Sequence, residues 1–208
     1  MLKIIIALGL ILLAIGGGVA YQKTQTEPMV LATSYVFEQQ RALAPFTLAD
    51  QYGNAFDNQS LQGKWSLFFI GYTACPDVCP TTLNKLAAAY PQLQKIAKNI
   101  QVVFVSADPK RDTQAKRLDY INFFNQDFIA VTAQHADLFP FSRDLGFVYA
   151  MVGDGSDYQV DHSASYVLVS PRVEKIAVFK PKPQPGQLAQ ILNAELIADF
   201  EQIVKSWQ

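Results

Sequence analysis

The stretch Trp65-Ser66-Leu67-Phe68-Phe69-Ile70-Gly71-Tyr72-Thr73-Ala74-Cys75-Pro76-Asp77-Val78-Cys79-Pro80 runs from an apolar segment into a loop holding the only two cysteines of the chain. A short apolar, aromatic-rich run stopped by glycine reads as a buried strand. A disulfide closing so short a loop would remove little unfolded-state entropy, so the pair reads as a soft-metal clamp or a redox dithiol. Pro80 suits the first position of a helix, which makes Cys79 the expected N-cap; a residue before proline is biased away from helical dihedrals, so the two thiols are expected to face each other across an irregular turn. A thiol at a helix N-terminus feels the positive end of the macrodipole, which favours the thiolate. Metal binding and disulfide exchange both need that form, so the loop alone does not choose between them.

Outward from this stretch, apolar periodicity alternates between strand and helix. Leu83, Leu86, Ala87, Tyr90, Leu93 and Ile96 fall at helical spacing within Thr81 to Lys98, Gln101 to Ser106 is a second buried strand, and Asp112 or Thr113 can cap a helix carrying Leu118 and Ile121. Phe128 to Thr132 is a short strand, His135 to Leu145 a helix, and Phe147 to Val152 the start of a long hairpin. Tyr166 to Val169 and Ile176 to Phe179 form an antiparallel pair, and Gln187 to Trp207 is the closing helix. Upstream, Phe46 to Leu48 and Ala55 to Asp57 flank the turn residues Gly53 and Asn54 and predict a hairpin. Phe68, Phe69, Phe104, Phe123 and Phe124 are expected in the core. The order is that of an α/β thioredoxin-like fold with an N-terminal β-hairpin extension. In such a sheet, sites lie at the carboxyl ends of the strands, where the cysteine loop leaves.

The chain has 208 residues, half of them apolar, enough for one core. Its 17 basic and 18 acidic side chains nearly cancel without forming a basic stripe, which argues against a nucleic-acid partner. Ile4 to Ala20 carries no charge, and at a helical rise these residues span roughly 25 Å, close to a hydrocarbon thickness. The expected organisation is a membrane anchor over 1–21, a polar linker over 22–43 and a globular domain over 44–208. A single transmembrane helix with Lys3 inside would place that domain in the periplasm, on the bacterial inner membrane. The rival is a signal peptide cut after Gly18-Val19-Ala20. Both readings export the cysteines to an oxidising compartment.

A third ligand would favour metal. Two thiolates prefer Cu(I), and an added imidazole makes a three-coordinate site able to exchange its cargo. Of the two histidines, His162 lies in Val160-Asp161-His162-Ser163-Ala164-Ser165, just before the strand Tyr166 to Val169, where the fold would return it toward the cysteine loop. His135 opens a helix in a polar context and reads as solvated. Met29 and Met151 are thioethers more readily explained by packing or surface. Asp77 favours the turn, and Asp108, Arg111, Asp112 and Thr113 read first as a loop and a helix cap.

These residues together resemble the Sco/SenC copper chaperones of respiratory oxidase assembly. The resemblance runs from about Ala44 to the C-terminus through Gly71-Tyr72-Thr73, Cys75-Pro76-Asp77-Val78-Cys79-Pro80-Thr81-Thr82-Leu83, Ser106-Ala107-Asp108-Pro109 with Arg111-Asp112-Thr113, and Asp161-His162-Ser163. It implies copper held by Cys75, Cys79 and His162, as Cu(I) or Cu(II), and delivered to the dinuclear copper centre of cytochrome c oxidase subunit II. An upstream copper donor and a thiol reductant would serve it, and the role is that of a metallochaperone, not an enzyme. The alternative is a thiol-disulfide oxidoreductase that reduces the acceptor's cysteines through Cys75 and Cys79. Redox enzymes of this fold usually separate their cysteines by two residues and face them with a proline. Here three residues intervene and Val160 to Val169 holds no proline. A peroxide-reducing thiol enzyme fits the paired cysteines and Asp-His-Ser segment poorly.

Overall fold

The structure is a computed structural model describing residues 29–153, 155, 157–184 and 186–207. The expected anchor over 1–21, with the first part of the linker, lies outside the described residues. Among the described residues no helix is long and apolar enough to cross a membrane. Contacts divide the chain into Met1–Val30 and Leu31–Gln208, and the fold is that of the second unit.

Two strands, β4 (Trp65–Gly71) and β5 (Ile100–Ser106), form the parallel centre of a mixed sheet, and every residue of both is buried. Such continuous burial requires cover on both faces, which is why these segments read as unbroken apolar runs. β6 (Ile129–Val131) continues the parallel side. On the other side lie β9 (Tyr166–Val169), β10 (Glu174–Phe179) and β1 (Ser34–Ala42), all antiparallel, in the order β1-β10-β9-β4-β5-β6. The helices connecting or closing this sheet are α2 (Val78–Ile96), α3 (Gln114–Phe124), α4 (His135–Leu145) and α5 (Asn193–Trp207). The expected hairpin is present as β2 (Thr47–Ala49) and β3 (Ala55–Asp57), followed by the one-turn helix α1 (Asn58–Leu61). This mixed α/β architecture around a central sheet is the expected one.

Four local expectations are corrected. Ser34–Ala42, assigned to the linker over 22–43, is the strand β1, paired with β10 at the sheet edge. Its outer residues are largely exposed, so it carries no alternation to read. It is fixed by a side chain far along the chain: the buried Asp199 carboxylate on α5 accepts from the amides of Ala32, Thr33 and Ser34 and from the Ser34 hydroxyl, each at 2.8 Å. Next, α2 starts at Val78 with Asp77 as N-cap, which places Cys79 and Pro80 inside the first turn. The first amides of a helix have no intrahelical partner, so a proline is tolerated there as well. The closing helix begins only at Asn193, because Gly186, at φ 70°, turns the chain between β11 (Lys182–Gln184) and β12 (Gln187–Gln190). Last, Phe123 is 81% exposed while Phe68, Phe69 and Phe104 are fully buried.

Candidate metal centre

β4 delivers the cysteine loop at its carboxyl end, where Gly71 is followed by the buried Tyr72. Gly71 is required by contact: a Cβ there would stand 2.6 Å from the Cys79 sulfur and 3.0 Å from the Phe104 ring. Cys75 is half-buried and Cys79 fully buried, and both are free thiols.

His162 reaches the same place from the opposite side of the sheet's chain order. It ends β8 (Gln159–His162), which pairs with β7 (Tyr149–Val152) in a separate two-stranded sheet, with Tyr149 opposite His162. β9 then runs antiparallel to β4, with Phe69 opposite Tyr166, so the entry of β9 lies at the exit of β4. His162 Nε2 is 3.4 Å from Cys79 Sγ. Its Nδ1 is 3.0 Å from the Ser163 carbonyl, which can only accept, so Nδ1 donates to it and Nε2 is the ring nitrogen that faces the sulfurs. Phe69 and Tyr72 present ring edges to the imidazole at 5.9 and 6.2 Å. One donor atom from each of Cys75, Cys79 and His162 lies within 4.8 Å of the others.

The two thiols differ electrostatically. The Cys79 thiol donates a hydrogen bond to Cys75, and this lowers the Cys75 pKa to about 4 against the opposing cost of burial, with His162 assisting. Cys79 is pushed up because its proton is shared with that thiolate and its sulfur is buried. At neutral pH the pair is one thiolate and one thiol, beside the imidazole of His162. A soft cation entering the site would displace a single proton from sulfur.

The loop between β5 and α3 supports the site from beneath. The buried Asp112 accepts from the Thr73 amide at 2.9 Å, the Thr73 hydroxyl at 2.6 Å and the Ser106 hydroxyl at 2.6 Å, which ties the cysteine loop to β5. Thr113 is the N-cap of α3, accepting from the Lys116 amide. Asp108 pairs with Arg111 and accepts from the Tyr158 hydroxyl. The sequence suggested a loop and a cap here; the carboxylates also bind both segments that bear the candidate ligands. The sequence pattern does not mark Tyr158 as functional; the available signal is a lone aromatic in a Gly/Asp/Ser-rich hairpin tip, which implies that something holds that tip.

The remaining candidates lie elsewhere. His135 is half-buried rather than fully solvated: its Nδ1 is 3.0 Å from the Tyr149 hydroxyl and its ring packs against Phe139. Met151 sits in β7 opposite Val160, and Met29 belongs to the Met1–Val30 unit. Asp77 is the N-cap of α2, and its carboxylate accepts a long hydrogen bond from the Thr81 hydroxyl at 3.4 Å.

This fold has counterparts among known proteins. Residues 36–196 match the family model described as SCO1/SenC. The SCO2-like protein of Rickettsia conorii is 31% identical over 201 residues, covering 93% of this chain and 97% of its own. The structure of Arabidopsis thaliana ScoI with copper bound matches with a TM-score of 0.67 at 29% identity, over 78% of this chain and 99% of that one. Yeast Sco1 with copper bound matches at 0.69 and 26%, over 80% and 90%. The chain belongs to the SCO1/SenC family.

Proposed function

We propose that this protein binds one copper ion through Cys75, Cys79 and His162 and hands it to the dinuclear copper centre of cytochrome c oxidase subunit II during assembly. The observation carrying this reading is the convergence of two sulfurs and one imidazole nitrogen within 4.8 Å at the carboxyl end of the central strands. Sulfur and imidazole donors suit Cu(I), and a three-coordinate ion leaves room for an incoming acceptor ligand. Structural relatives with copper bound support the choice of metal. In this reading the copper is cargo, the chain is a metallochaperone held at the bacterial inner membrane by residues 1–21, and the domain after the linker faces the periplasm. An upstream copper donor loads it and a thiol reductant keeps its cysteines reduced.

A second reading has an observation of its own: a half-exposed thiolate beside a buried thiol is the arrangement of an attacking and a resolving cysteine. Cys75 would attack the acceptor's disulfide and release one acceptor thiolate. Cys79 would then displace the second, leaving a Cys75–Cys79 disulfide and a reduced acceptor dithiol.

Oxidase activity in cells at limiting copper separates the two. Copper delivery requires that His162→Ala fail along with both cysteine variants. Full activity with His162→Ala, alongside inactive Cys75→Ser and Cys79→Ser, would assign thiol reduction as the principal role.

A further inference from the structure

We propose that Arg111, Asp108 and Tyr158 form a latch that holds His162 against the cysteine pair, which makes Arg111 a positioning residue of the metal centre; this rests on the copper-binding reading above. Tyr158 lies four residues before His162, at the entry to β8. The Arg111 guanidinium sits 3.7 Å above the centroid of its ring. The Tyr158 hydroxyl donates to Asp108 Oδ1 at 2.7 Å, and its carbonyl accepts from Arg111 Nη1 at 2.8 Å. Arg111 Nε closes the cycle on Asp108 Oδ2. The Asp108 side chain is wholly buried, so its charge depends on these partners. Stacking and two hydrogen bonds therefore converge on one residue of the histidine-bearing hairpin, and the ion pair joins the two side chains that supply them.

The other half of the site hangs from the same loop. Asp112, four residues after Asp108, holds Thr73 through two hydrogen bonds. Tyr72 adds a direct tie, its hydroxyl donating to Gln159 Oε1 at 2.7 Å. The spacing between Cys79 and His162 is thus set by a mount that grips both segments. The hairpin itself is outside the six-stranded sheet. Its tip contains Gly153 and Gly155 at positive φ, so its own strands supply little to fix its angle. Opening the latch would let His162 withdraw while the cysteines stay in place, leaving a two-thiolate ion open to an acceptor.

The test uses the full chain in detergent, reduced, as wild type, Arg111→Ala, Tyr158→Leu and His162→Ala, with folding checked by circular dichroism. In the metal-free protein, carbethoxylation of His162 by diethyl pyrocarbonate is followed by peptide mass spectrometry, with His135 as internal reference. After Cu(I) loading, transfer to bathocuproine disulfonate is timed. The latch requires His162 to react several-fold faster in both Arg111→Ala and Tyr158→Leu, His135 to be unchanged, and copper transfer to accelerate by about tenfold or more, the usual scale for loss of an outer-shell partner. Arg111→Lys should restore part of the protection. Tyr158 lies near the hairpin tip, so Tyr158→Leu keeps the test open if Arg111→Ala misfolds. Unchanged His162 reactivity in a folded variant overturns the latch. Copper transfer that is the same with and without His162 overturns instead the reading of His162 as a ligand, and the carbethoxylation arm still decides whether the latch holds it.

Discussion

Cys79 Sγ and His162 Nε2 lie 3.4 Å apart although 83 residues separate them. The contact is made by the first turn of α2 and the end of β8, beyond the carboxyl end of β4, and the segments leading into both are fastened to the loop between β5 and α3. A donor set built this way is sensitive to three things: the ligands, the protonation of the sulfurs and the packing that brings them close.

Removing a ligand should act differently on the two copper oxidation states. Cys75→Ser or Cys79→Ser leaves one sulfur and one imidazole, and Cu(I) affinity should fall by at least about 100-fold. His162→Ala should retain a two-thiolate Cu(I) complex and weaken Cu(II), which needs nitrogen donors more. Competition titrations with chelators for each state, with the Cu(II) absorption spectrum, check this; wild-type Cu(I) affinity in either cysteine variant would contradict a shared site.

The unequal thiols predict a pH profile. With Cys75 at about 4, iodoacetamide should alkylate it in the metal-free reduced protein at a nearly constant rate from neutral pH down to the weakly acidic range. Cys79→Ala removes the hydrogen-bond donor and should move the inflection up toward the ordinary thiol value. Because the folded value of Cys75 is depressed below the unfolded one of 9.0, its contribution to stability is complete above that value and is lost as pH falls through about 4. Urea melts of wild type and Cys75→Ser across this window should converge at the acid end.

Gly71→Ala tests the close approach of strand and sulfur. The added methyl would meet the Cys79 sulfur at 2.6 Å and the Phe104 ring at 3.0 Å, and neither can retreat within a packed core. A cost of about 1–3 kcal/mol is expected, with weaker copper binding because Cys79 is displaced. Equal copper affinity in a folded Gly71→Ala protein would mean the sulfur can move without consequence.

Asp199→Ala addresses the fold at a distance from the site. It strips three backbone amides and one hydroxyl of their acceptor, and a destabilisation of about 3 kcal/mol is expected in chemical denaturation. Copper affinity of the folded fraction should be unchanged, and faster amide exchange in β1 should accompany the loss.

Local pattern alone determined the strands β4 and β5, the β2–β3 hairpin and the helices from α2 to α4, because burial on both faces or at helical period is written in consecutive residues. It also nominated Cys75, Cys79 and His162, the first two by adjacency and the third by its position before a strand. Tertiary structure decided what depends on partners distant in the chain. Whether Ser34–Ala42 is a tether or a strand turns on the Asp199 carboxylate and a free edge at β10. The approach of His162 to sulfur turns on the antiparallel pairing of β9 with β4. The thiolate belongs to Cys75 because Cys79 is the more deeply buried of the two and donates to it. Asp112, Asp108, Arg111 and Tyr158 acquire their roles only when one loop meets two others, and a contact between segments leaves no period in the sequence from which it could be read.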